Sequence, residues 1–164
     1  MKKILALITV IVMSLSLASC SLFDVRNSPK KTFEADGMSI TLTTAFSEED
    51  YEGYTACYDS HQVAVFVLKE DVDDFEDGLT LEEYADLLVL ANADSGAEKS
   101  KEKDMITMEY EAVSGEDNEK YTYFGVVYEG SDAFWMVQFV CKSSKYEDFK
   151  PDFIKWAESV SFAK

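Results

Sequence analysis

The chain has 164 residues, 47% of them hydrophobic and 13% aromatic, which supplies a core for one ordinary domain and excludes a disordered body. Thirty-two acidic residues against fifteen basic ones leave a formal charge of −17. So acidic a surface repels phosphate backbones and anionic headgroups, arguing against nucleic acid as a partner and against electrostatic docking on membranes.

The first element is a leader. Lys2 and Lys3 precede an apolar run over residues 4–12, extended by small and apolar residues to Ala18, and then comes Leu17-Ala18-Ser19-Cys20. The run is too short to span hydrocarbon comfortably as a helix, which needs about 20 residues. A basic start, a short apolar centre and small residues at the cut describe a secretory signal. This segment resembles bacterial lipoprotein signals, in which small residues admit the chain to a narrow peptidase site and the cysteine thiol accepts a diacylglyceryl group. The expectation is cleavage before Cys20, so that residues 1–19 are removed, residues 20–31 form a tether and residues 32–164 form a single domain. The protein is then lipid-anchored on the extracytoplasmic face of the cell membrane. Each buried acyl methylene contributes about 0.8 kcal/mol, so two chains hold where one does not. The leader takes two basic residues and no acidic one, which moves the mature charge to −19.

The body opens with a hairpin signal: residues 32–35, then Asp36-Gly37, then strict alternation over 38–42. Residues 45–53 read as loop or a single helical turn, 54–58 as a short strand, and 62–69 as a strand apolar on both faces. Thr80 with Glu83 forms a capping box, and Leu81, Tyr84, Ala85, Leu88 and Ala91 fall on one helical face. Strands follow over 105–113, 121–128 and 134–141, the last again apolar on both faces. A closing helix shows Ser144 and Glu147 in capping-box spacing and a stripe of Phe149, Phe153, Trp156, Ala157 and Val160. Pro151 lies near its start. Strands without a wet face need covering on both sides. The expected class is α/β of the α+β kind: an antiparallel sheet of about six to seven strands sandwiched by helices.

The hairpin at Asp36-Gly37-Met38-Ser39-Ile40-Thr41-Leu42, the loop ending at Phe46, the helix opening Leu79-Thr80-Leu81-Glu82-Glu83-Tyr84-Ala85, the three-strand meander and the close Glu158-Ser159-Val160-Ser161-Phe162 together resemble the Mog/PsbP-like fold. The resemblance covers about residues 32–163 and rests on the order of elements rather than on any one motif. It implies an α/β/α sandwich used mostly for binding; relatives include an accessory protein of the photosystem oxygen-evolving centre, a Ran-binding factor and envelope lipoproteins. It supplies no functional residue to transfer.

Few residues offer chemistry of their own. His61 is the only histidine and stands at a turn, and no Gly-x-Ser-x-Gly elbow accompanies it. Once Cys20 carries lipid, Cys57 and Cys141 remain; both fall in apolar strand patterns, and either a disulfide or two buried free thiols fits. The loop Asp71, Asp73, Asp74, Glu76 and Asp77 has the oxygens that Ca²⁺ or Mn²⁺ takes, but lacks the EF-hand register; its other reading is a solvated loop favouring the next helix's N-terminus. Tyr121, Tyr123, Tyr128, Tyr51, Tyr54 and Tyr58 fit either a glycan platform or core packing. No resident cofactor is expected beyond the lipid on Cys20, with calcium as the alternative. The leading function is a non-catalytic binding or accessory module for another envelope protein. A ligand- or metal-ion receptor comes second and an extracellular hydrolase third.

Overall fold

Alternating side chains on either side of Asp36-Gly37 form the first hairpin in the computed structural model, which describes residues 24–75, 78–114 and 118–163. Strand β1 (Lys30–Ala35) pairs antiparallel with β2 (Met38–Thr43), Ala35 opposite Met38. Asp36 (φ 48°) and Gly37 (φ 92°) both take left-handed conformations, the two-residue geometry whose twist matches the flanking strands. A short β10 (Ser161–Phe162) pairs with the other edge of β2 and closes a three-stranded sheet.

The second sheet has seven strands in the order β3-β4-β5-β9-β8-β7-β6, every pair antiparallel. They are β3 (Ser47–Glu49), β4 (Ala56–Asp59), β5 (Ala64–Asp71), β6 (Glu98–Glu102), β7 (Met105–Val113), β8 (Lys120–Glu129) and β9 (Ala133–Lys142). The two strands with no polar face, β5 and β9, lie beside each other at the centre. On one face Val65, Val67, Val137 and Phe139 pack with the three-stranded sheet and with α2 (Tyr146–Ala157), whose Phe149, Phe153 and Trp156 point inward. Phe153 is fully buried, its ring stacked 5.2 Å from Phe139 and 6.0 Å from Phe149. Each such burial contributes about 1.5–3 kcal/mol. On the other face Phe134, Met136, Met108 and Val127 meet Tyr84, Ala85 and Leu88 of α1 (Leu81–Ala91). The mixed class, the antiparallel pairing and the double covering are thus as expected.

The capping box is also as expected: Glu83 N–H donates to Thr80 Oγ1 at 3.3 Å and Thr80 N–H donates to Glu83 Oε2 at 2.9 Å. Four details differ. The first hairpin belongs to its own sheet. The edge strands β3 and β6 stand where no strand was expected, because an edge wet on both sides has no apolar pattern to show. Helix α2 follows a 3₁₀ turn at Ser143–Lys145 with Lys145 at its cap and no side-chain cap, so Ser144 and Glu147 form no box. The body begins earlier than residue 32: Val25 is fully buried, its N–H donates to Gln62 Oε1 at 3.3 Å and its carbonyl accepts from Thr43 Oγ1 at 2.8 Å. The folded body therefore reaches back into the expected tether, with Val25 in the core and Lys30 and Lys31 in β1. Among the described residues no helix is long and apolar enough to cross a membrane.

Candidate functional site

Cys20 lies outside the described residues. Of the acidic loop, Asp71 ends β5 and Asp73 and Asp74 sit in the exposed 3₁₀ turn Val72–Asp74, while Glu76 and Asp77 lie outside the described residues. Among the described residues no three His, Cys, Asp or Glu side chains gather as a metal site.

Cys57 and Cys141 are free thiols, and strand geometry keeps them apart. Cys57 on β4 stands opposite Phe66, which stands opposite Gln138 on β9. Cys141 lies three positions beyond Gln138, so alternation sends it to the other face. The two thiols accordingly belong to different clusters. With β5 between their strands they are separated by about two inter-strand spacings, more than the roughly 7 Å a disulfide spans. The disulfide reading is thereby replaced by two buried thiols. Burial above all raises each thiol pKa to about 12, helped at Cys57 by Asp59 and Glu49, which leaves neither as a nucleophile.

The tyrosines divide between faces instead of forming one platform. Tyr58 and Tyr128 pack on the α2 side, Tyr128 donating to the Ala157 carbonyl at 2.8 Å. Tyr121 and Tyr123 lie on the other face beside Tyr51 and Tyr54, which cover the end of the sheet near Phe66. Tyr123 stacks on Tyr110 at 4.7 Å, and Tyr110 Oη accepts from Gln138 Nε2 at 2.9 Å.

Two concavities hold polar groups. The first, about 480 Å³, lies where β6 and β7 meet the start of α2 and is lined by Glu98, Ser100, Glu109, Glu111, Thr122 and Tyr146 among others. Glu109, Glu111 and Thr122 share a face because β7 and β8 pair Glu109 with Phe124 and Glu111 with Thr122. Lysines answer two of the carboxylates: Lys150 Nζ to Glu109 at 2.8 Å and Lys120 Nζ to Glu111 at 2.6 Å. Tyr146 is only 7% exposed, and its hydroxyl has no hydrogen-bond partner among the described residues. Burial, then the Glu109 carboxylate, pushes that phenol's pKa up.

The second, about 380 Å³, lies at the start of the described chain and is lined by Asp24, Arg26, His61, Gln62, Lys142, Lys145 and Phe149. Arg26 lies over the Phe149 ring at 4.3 Å and meets Asp152 at 3.6 Å through Nε. His61, in a left-handed turn (φ 63°), lies 3.6 Å from Asp59. Lys142 lies 3.6 Å from Glu119. Two lysines and an arginine thus line one pocket of a chain whose net charge is −17.

No protein-family model matches the sequence, and no curated protein does. Among solved structures, the solution structure of cyanobacterial PsbP from Synechocystis sp. PCC 6803 superposes with a TM-score of 0.56 at 14% identity, over 89% of this chain and 98% of that one. The fold is PsbP-like. A crystal structure from Bacteroides thetaiotaomicron VPI-5482 agrees with a TM-score of 0.55 at 13% identity over 84% of this chain; this chain covers 49% of that one, about half its length. On the PsbP-like frame, chain order brings residue 26 against residues 149 and 152, and strand pairing sets Glu111 beside Thr122. Arg26, Lys142, Lys145 and Tyr146 escape sequence reasoning, being single polar residues at scattered positions. The one signal available was that basic residues are scarce, which makes any cluster of them informative.

Proposed function

We propose that the chain is a membrane-anchored extracytoplasmic binding module, exported by residues 1–19, lipidated at Cys20, and acting without catalysis as an accessory to another envelope protein. One observation supports this most: the packed body begins at once after the lipidation position. Val25 is fully buried, and only four peptide steps separate Cys20 from Asp24. That length spans at most about 14 Å. The body would therefore ride at the bilayer surface, suited to docking on a membrane complex rather than reaching away from it. The PsbP-like architecture supports the reading at the level of fold alone. Intact mass of the mature protein tests the anchor, with a diacylglyceryl-modified Cys20 expected. Cross-linking in native membranes tests the module, with one stoichiometric partner expected. An unmodified terminus defeats the anchor, and recovery of the protein alone at native expression defeats the accessory role.

A second reading, a receptor for a small polar ligand, is favoured by the orphaned Tyr146 hydroxyl in the first cleft. A thermal-shift screen with Ca²⁺, Mn²⁺ and glycans tests it, since ligand at 100 times its dissociation constant stabilises by about 2.7 kcal/mol. No shift with any of them retires it.

A further inference from the structure

We infer that the pocket formed by Arg26, Lys142 and Lys145 seats the phosphate of an anionic phospholipid headgroup in the same bilayer that holds Cys20. The inference rests on the anchored reading above and adds an orientation to it. Net charge argues against electrostatic docking, but charge acts locally. Beyond about 8 Å at physiological ionic strength exposed charges are largely screened, so a headgroup senses the residues it touches and not the total.

Those residues are unusual for this chain. Among the charged side chains lining the pocket, Arg26, Lys142 and Lys145 stand against Asp24 alone. Asp24 is already engaged, accepting from the Arg26 backbone N–H at 3.0 Å and from Asn27 Nδ2 at 2.7 Å. Arg26 places its guanidinium carbon 4.3 Å from the centre of the Phe149 ring and meets Asp152 through Nε at 3.6 Å, and no hydrogen bond among the described residues takes up its terminal nitrogens. A guanidinium offers a planar fork of donors to phosphate oxygens. Among the described residues Lys142 has no carboxylate nearer than Glu119 at 3.6 Å, and Lys145 is exposed with no ion pair. The cavity of about 380 Å³ has room for a phosphoryl headgroup.

Position gives the second, independent argument. Asp24 and Arg26 lie four and six residues beyond Cys20. The leash that would carry the lipid therefore leaves the body at this pocket, and its length keeps the pocket within about 14–20 Å of the acylated sulfur. Anionic headgroups are then the most concentrated phosphates the pocket can meet. Helix α1 lies on the opposite face of the seven-stranded sheet and would point away from the bilayer.

The test uses the mature lipidated chain in vesicles, labelled with a fluorophore at Ser144→Cys beside the pocket or at Leu90→Cys on α1. Ser144 and Leu90 are both exposed, and Cys57 and Cys141 are buried and stay unlabelled. Nitroxide-headgroup lipid is the quencher. In vesicles containing phosphatidylglycerol the label at 144 is quenched and the label at 90 is not; in pure phosphatidylcholine the quenching at 144 is lost. Lys142→Gln with Lys145→Gln lowers the docked-to-undocked ratio about 30-fold in the anionic vesicles. Equal quenching in both kinds of vesicle, or insensitivity to the double substitution, overturns the inference while the anchor stands. A chain that fails to float with either vesicle overturns the anchor and the orientation together.

Discussion

Replacing Tyr by Phe at two buried positions should move stability in opposite directions. Tyr84 is 1% exposed, and its hydroxyl donates to Glu70 Oε2 at 2.7 Å. Tyr84→Phe leaves that carboxylate, itself partly buried, without its donor. A hydrogen bond to a charged group is worth about 1.5–3 kcal/mol, so the loss should lie in that range. Tyr146 is 7% exposed, yet its hydroxyl has no hydrogen-bond partner among the described residues. Its desolvation, about 1–3 kcal/mol, is met only by the approach of the Glu109 carboxylate, and Tyr146→Phe removes it while keeping the ring that packs 6.3 Å from Phe153. Tyr146→Phe is therefore expected to stabilise by about 1 kcal/mol or more. Urea denaturation at neutral pH reads both through the midpoint at unchanged slope. For a domain this size each kcal/mol moves the melting temperature by roughly 4 °C, so the two variants separate widely. If Tyr146→Phe loses as much as Tyr84→Phe, the Tyr146 hydroxyl is satisfied, by Glu109 or by solvent, and the orphan reading of the first cleft falls with it.

The remaining expectations concern single sites. Burial raises the pKa of Glu70, partly offset by the Tyr84 hydrogen bond. A raised folded-state pKa stabilises below the unfolded value, and that contribution is lost as pH rises through the folded one. Glu70→Gln should match the parent's melting temperature near about pH 4 and exceed it at neutral pH; equal melting at both would refute the assignment. Thr80→Ala removes a two-bond capping box and should cost about 1 kcal/mol by denaturant titration, whereas a change under a few tenths would show the box carries no weight. Cys57 and Cys141 should both resist alkylation in the folded protein and react once it is unfolded. Non-reducing mass spectrometry finding a bond between them would contradict their placement on opposite faces.

Where the sequence was legible, one residue pattern had one structural outcome. Asp36-Gly37 between alternating strands made a two-residue turn because both positions need left-handed φ. Thr80 and Glu83 made a box because Thr80 stands at the N-cap of α1 and Glu83 at its third position. Ser144 and Glu147 have the same spacing and made none, since α2 enters through a 3₁₀ turn that shifts the cap to Lys145. The edge strand β6, Glu-Lys-Ser-Lys-Glu, was invisible because its side chains answer charges rather than a core: Lys99 and Lys101 reach Glu82 on α1, at 3.1 and 2.7 Å.

Local order in the chain determined the run of elements, the two strands that had to be covered twice, and the helical faces that cover them, because burial periodicity is written into neighbouring residues. Only the tertiary structure decided that the first hairpin would stand as its own sheet and that two cysteines in similar apolar strands would face opposite ways. It alone brought Arg26, Lys142 and Lys145 to one pocket near residue 24. Those outcomes depend on strand order and on which face each register presents. Both are set by contacts between residues far apart in the chain, and no window of sequence contains them.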